Sequence, residues 1–137
     1  MSGVINLKQL NHYNISVPGE LLEKVRRFYI DIIGLKEGWA PGPAKFPIRW
    51  LYLGDQPVLH LNGLPNDQAS SDIEPRSTGW LDHVAFSCSD HKSAKAHLDA
   101  LHVPYVHNEF PSFGIVQLML HDPVGIQIEL NFAGECG

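Results

Sequence analysis

Four side chains able to bind a metal or move a proton occupy matched places in this sequence. His12 follows Leu10-Asn11, and His83 follows Leu81-Asp82. His60 lies in Leu59-His60-Leu61-Asn62, and Glu129 lies in Ile128-Glu129-Leu130-Asn131. His12 and His60 are 48 residues apart, and His83 and Glu129 are 46 apart. Two matches at nearly one offset mark an internal duplication. Three imidazoles and a carboxylate suit Zn, Fe(II), Ni, Co or Mn. Two histidines with one carboxylate leave open positions, as in non-haem Fe(II) oxygenases. A single histidine on a strand is most often a hydrogen-bonded structural residue, but four ligand-type residues at equivalent repeat positions argue for a site. Imidazole also suits proton transfer near neutrality, so His60 reads as a fourth ligand or as a general base.

The elements that must carry these residues repeat as well. Leu10 to Val17 alternates like a strand, with Tyr13, Ile15 and Val17 on one face and His12, Asn14 and Ser16 on the other. Glu20 to Ile33 places Leu21, Leu22, Val25, Phe28, Tyr29, Ile32 and Ile33 in a helical stripe, and Gly34 stops it. Trp39 to Pro47 is a loop that a short strand can precede. Ile48–Leu53 and Val58–Leu61 form a hairpin around Gly54-Asp55. In the second half Leu81–Cys88 is a strand and Asp90 can cap a helix from His91 to Leu101. Gly114–Leu120 and Ile126–Asn131 close the repeat around Asp122-Pro123-Val124-Gly125. The reading is a single α+β domain over 1–137: a βαβββ module at 8–63, a linker at 64–79 and a second βαβββ module at 80–133. Each apolar face is expected to pack on its module's helix. The opposite faces, with His12, His60, His83 and Glu129, are expected to pair into one cup. Gln117 and His121 share that parity, whereas His91, His97, His102 and His107 read as surface or helix residues.

Composition sets the surroundings. Of 137 residues, 44% are hydrophobic, enough for a real core, and 18% are charged, too few for a disordered tail. A net charge of −5 argues against a nucleic-acid binder, which needs a basic face. Two cysteines make no disulfide scaffold, and no apolar run approaches the ~20 residues of a membrane span. Met1 to Lys8 lacks the pattern of a signal peptide, so a cytoplasmic location is expected.

The assembled motifs resemble the vicinal oxygen chelate superfamily, which includes glyoxalase I, bleomycin-resistance proteins, fosfomycin-resistance enzymes and extradiol dioxygenases. The resemblance rests on Leu10-Asn11-His12, on Phe28 to Leu35, on Leu81 to Phe86 and on Asp122 to Leu130. It implies a cup-shaped mixed β-sheet with flanking helices, a homodimer, and a divalent metal that chelates two neighbouring oxygens of a small molecule. His12, His83 and Glu129 fall on the shared metal ligands. Where glyoxalase I carries a glutamate, this chain has His60, close to where extradiol enzymes carry an acid–base histidine. Those enzymes also carry a tyrosine some ten residues before the glutamate, and Met119 stands there. The phosphonate-binding basic residues of fosfomycin enzymes have no counterpart in Asn131 to Gly137.

The leading reading is a metal-dependent enzyme, dioxygenase-like or lyase-like, acting on a small oxygenated metabolite. Trp39, Phe46, Trp50 and Tyr52 are candidates to wall its pocket, and Arg49 to meet a substrate anion. The competing reading is a binding protein that sequesters a drug or metabolite without turnover. It needs the aromatic groove but not the metal.

Overall fold

The alternation of apolar residues produces two four-stranded sheets with one topology. The computed structural model describes residues 3–42, 44–65 and 78–136. The first sheet contains β1 (Tyr13–Pro18), β2 (Lys36–Gly38), β3 (Ile48–Leu53) and β4 (Gln56–Leu64), in the order β1-β4-β3-β2. The second contains β5 (Val84–Ser87), β6 (Val106–Phe110), β7 (Ile115–His121) and β8 (Gln127–Ala133), in the order β5-β8-β7-β6. In each sheet the outer pair, β1 with β4 and β5 with β8, is parallel, and the remaining pairs are antiparallel. Strand β6 has no clear alternation in sequence; its pairing with β7 assigns it.

The two parallel ladders share one register. Tyr13 pairs with Leu59, the residue before His60, and Val84 pairs with Ile128, the residue before Glu129. His12 and His83 each directly precede those first paired residues. The duplication read from motif spacing is therefore also a duplication of hydrogen-bond register. The observed strands begin later than Leu10 and Leu81, so both histidines sit at strand mouths rather than within strands.

The first helical segment is continuous but not uniform. A 3₁₀ turn over Gly19–Leu21 leads into α1 (Leu22–Arg27), which loosens into a π-helical stretch, Phe28–Ile33. Gly34, in the left-handed region at φ 100°, ends it by donating its N–H to the Tyr29 carbonyl at 3.0 Å. Helix α2 (His91–Ala100) starts at Asp90, whose side chain accepts from the Ser93 N–H, as expected of a cap. By contacts the described residues form two compact units, 3–22 with 35–65 and 23–34 with 78–136. Residues 23–34 thus group with the second sheet, against the expectation that each sheet meets its own module's helix. Of the expected linker, residues 66–77 lie outside the described residues, and Leu64 ends β4. No helix among the described residues is long and apolar enough to cross a membrane.

The faces divide as alternation requires. Ile15, Val17, Leu51, Leu59 and Leu61 are buried in the first unit; Val116, Leu118, Leu120, Ile128, Leu130 and Phe132 are buried in the second. Asp122 shapes the β7–β8 turn: its Oδ1 accepts from the N–H groups of Val124 and Ile126 at 2.9 and 2.8 Å. Its Oδ2 accepts from the Tyr29 hydroxyl at 2.7 Å, tying the π-helical stretch to the turn. Both side chains are buried, and burial pushes the Asp122 carboxyl above its ordinary value despite these donors.

A carboxyl whose folded pKa is raised binds protons more readily folded than unfolded, so its contribution to stability falls as pH rises through that interval. Tyr29→Phe removes a donor to this buried carboxylate and is expected to cost about 1.5–3 kcal/mol at pH 7. The loss should be smaller near pH 4, toward which the folded carboxyl takes up its proton. Urea unfolding at both pH values measures the difference, and an equal loss at both would exclude this role for the bond.

Candidate active site

The structure brings the four selected residues together as two pairs. Among the described residues, no three His, Cys, Asp or Glu side chains gather closely enough to hold a metal.

The second unit carries His83 with Glu129. Glu129 lies mid-strand in β8, opposite Ala85 on one side and Met119 on the other. It is 8% exposed, a carboxylate set into the sheet without an Arg or Lys partner among the described residues. Two amides hold it: Gln117 Nε2 donates to Oε1 at 2.7 Å, and Asn131 Nδ2 donates to Oε2 at 2.9 Å. The Asn108 side chain in turn donates to Gln117 at 2.9 Å. His83 Nδ1 lies 2.7 Å from Asp82 Oδ2, an acceptor, so Nδ1 carries the proton and Nε2 faces Glu129. Nε2 stands 3.3 Å from Glu129 Oε1. Two ligands held tetrahedrally at about 2.0–2.1 Å from one ion are separated by about 3.3 Å. This pair therefore fits a divalent ion.

The first unit carries His12 with His60. His12 Nδ1 lies 2.7 Å from Asn11 Oδ1, again an acceptor, which leaves Nε2 as the free nitrogen. The residue before each strand-mouth histidine thus sets its tautomer, as a carboxylate or carbonyl does behind a metal-bound imidazole. His60 sits between Asn14 and Trp50 in the ladder. Its ring stacks on His12 at 3.8 Å, 16° from parallel, and on Trp50 at 3.9 Å, 5° from parallel. Among the described residues, its Nε2 is buried without a partner. Burial and then the neighbouring His12 lower the His60 pKa, so the ring is held neutral.

The wall residues divide. Trp50, Tyr52 and Trp39 belong together: Trp39 meets Trp50 edge-on at 5.8 Å, and the Tyr52 hydroxyl donates to the Trp39 carbonyl at 2.6 Å. Phe46 lies half-buried in the loop before β3. Arg49 is not a free cation for substrate; it alternates to the face opposite Trp50, 3.5 Å from Glu37. Gln117 proves to be part of the Glu129 network, while His121 lies exposed at the end of β7. Of the remaining histidines, His107 lies on β6, and His91 is held by Glu135 at 2.7 Å. Asn11, Asp82 and Asn131 carry roles that residue type alone does not reveal. The signal was present, since all three lie inside the repeated tripeptides and tetrapeptides.

No protein-family model matches this chain, and no curated protein matches it. Solved structures match it almost end to end. A glyoxalase/bleomycin-resistance/dioxygenase domain from a Frankia species has 20% identity and a TM-score of 0.72, covering 93% of this chain and 99% of its own. Lactoylglutathione lyase from Agrobacterium tumefaciens has 19% identity and a TM-score of 0.65, with 92% and 94% covered. A mutant fosfomycin resistance protein from Listeria monocytogenes, complexed with Mn(II) and a dihydroxypropylphosphonic acid, has 14% identity and a TM-score of 0.69, with 93% and 94% covered. The chain has the glyoxalase/bleomycin-resistance/dioxygenase fold, an α+β architecture of two βαβββ-like modules.

The His60 environment makes a direct prediction. A histidine with a lowered folded pKa favours the folded state less as pH falls from the ordinary ~6.5 through its own lower value. In a histidine NMR titration, with the signal assigned by His60→Gln, His60 should titrate below 6.5. Titration at or above 6.5 would contradict a ring held neutral by its surroundings.

Proposed function

We propose that this chain is a metal-dependent enzyme that takes a small oxygenated metabolite through two neighbouring oxygens. His12, His83 and Glu129 would hold the divalent ion, and His60 would accept the proton. The supporting observation is the matched preparation of the two strand-mouth histidines. Each has Nδ1 committed to the preceding side chain and Nε2 left for a ligand, and His83 Nε2 stands at ligand–ligand distance from Glu129. A bound Fe(II), Zn, Ni, Co or Mn would supply Lewis-acid stabilisation of charge developing on the chelated oxygens.

The protein's own contribution is orientation and proton transfer. Gln117 and Asn131 keep both Glu129 oxygens in one orientation. Burial and His12 favour the neutral form of His60, which can offer the lone pair of its unpartnered Nε2 to a substrate proton. An unpartnered buried acceptor costs about 1–3 kcal/mol, a cost a reacting group can justify. Met119 lies beside Glu129 in register and brings no hydroxyl where extradiol enzymes carry tyrosine, which favours lyase-like proton transfer over dioxygenase chemistry.

The working form we propose is a cytoplasmic homodimer. Leu10 and Leu81, equivalent in the repeat and two residues before His12 and His83, are 85% and 62% exposed. A second copy would cover them. Light scattering at micromolar concentration should give twice the chain mass; the chain mass alone would exclude the dimer.

Metal analysis of the purified protein, followed by Zn(II) or Mn(II) calorimetry, tests the ligand set. One ion per site is expected, with at least about tenfold weaker binding in His83→Ala and Glu129→Ala. Protons compete for imidazole, so uptake should fall between about pH 6.5 and 5. His60→Ala should retain the ion and lose about 10²–10⁴-fold in turnover on a 2-oxoaldehyde and catechol panel. Failure to take up any divalent ion at micromolar levels would favour the binding-protein reading.

A further inference from the structure

We infer that Trp50 and His12 hold His60 out of the metal's ligand set, so that Trp50 is the positioning residue that keeps this imidazole a base. The inference rests on the metal reading proposed above and goes beyond it by deciding between the two roles open to His60.

An imidazole nitrogen offers its lone pair in the plane of its ring, so an ion bound to it lies in that plane, about 2.0–2.1 Å from the nitrogen. The His12 and His60 rings are stacked, with centroids 3.8 Å apart and planes 16° from parallel. Planes so arranged run side by side and do not meet within a bond length of either ring. One ion can therefore bind one ring of this stack or the other, but not both.

The surroundings decide which ring is free to serve. His12 is exposed and precedes β1, outside the ladder. His60 lies mid-strand in β4 with paired strands on both sides. Its second ring face is covered by Trp50, its direct cross-strand partner, at 3.9 Å and 5°. Trp50 is braced in turn by the edge of Trp39, whose carbonyl accepts from the Tyr52 hydroxyl. The Tyr52 ring lies against Gly38, where an added Cβ would stand 2.8 Å from Tyr52 Cε1. Gly38, Tyr52, Trp39 and Trp50 thus form a continuous support ending on His60. Turning His60 edge-on toward a metal shared with His12 would break both stacking contacts.

The test is ¹⁵N-histidine NMR of the full chain titrated with Zn(II) alone, with each ring assigned by a His→Gln variant. Coordination-type shifts are expected at His12 and His83 and not at His60. A coordination shift at His60 in the unaltered protein overturns the inference while leaving the metal reading standing. Absence of shifts at His12 and His83 overturns the metal reading itself, and the inference with it. In Trp50→Ala, His60 should join the ligand set and Zn(II) affinity should rise about tenfold, whereas Trp50→Phe should keep the original pattern. A folded Trp50→Ala protein in which His60 stays unshifted removes Trp50 from the positioning role. Should that variant fail to fold, the unaltered protein's spectrum and Trp50→Phe still decide the outcome.

Discussion

Parallel strand register is the constraint on which the candidate site depends. His12 and His60 share a face only because Tyr13 pairs with Leu59, and His83 meets Glu129 only because Val84 pairs with Ile128. Side chains alternate with a period of two, so a one-residue slip in either ladder would turn His60 or Glu129 into the core. It would also bring Leu59, Leu61, Ile128 or Leu130 out to water. The hydrophobic cost of that exchange, about 1.5–3 kcal/mol for each large side chain exposed, is what holds the polar residues in register. The geometry of the candidate site is secured by apolar side chains on the other face of the same strands.

The duplicated halves use this shared register for different chemistry. In the second, neutral amides from Gln117 and Asn131 surround a carboxylate, and Asp82 directs the His83 lone pair toward it. Polar donors and acceptors converge there as a ligand site requires. In the first, the position equivalent to Glu129 is His60, and the groups flanking it are rings rather than amides. Stacking restricts the imidazole plane without satisfying its second nitrogen. One copy surrounds a carboxylate with polar partners, and the other stacks an imidazole between rings.

The turn at Asp122 links core stability to this arrangement. Its carboxylate closes the β7–β8 connection and accepts from Tyr29 on the π-helical stretch. Those two strands carry Gln117, Met119, Glu129 and Asn131, so the connection that sets their stagger also sets the hydrogen bonds to Glu129. The widened helical turn before Gly34 belongs to the same unit and supplies the buried hydroxyl. Stability and site geometry are coupled there through one buried carboxyl group.

Much of this was legible in the residues themselves. The repeat, the parity of each strand, the Gly34 stop, the Asp90 cap and the four candidate residues follow from local spacing and alternation, which the chain expresses wherever it folds into strands and helices. The 3₁₀ and π character of the first helix was not legible, and neither was the bond from Tyr29 to Asp122, 93 residues away. Nor was the grouping of residues 23–34 with the second sheet, since an apolar stripe states that a helix must be covered and not by what. Strand β6 was missed for a similar reason: its pattern is weak, and its pairing with β7 supplies the order. The orientation of each ring lay furthest from the sequence. Residue type determined that His12 and His60 could bind a metal or a proton; only cross-strand packing against Trp50 decided the plane in which His60 lies. A lone pair is directional, and its direction is set by neighbours that are distant along the chain.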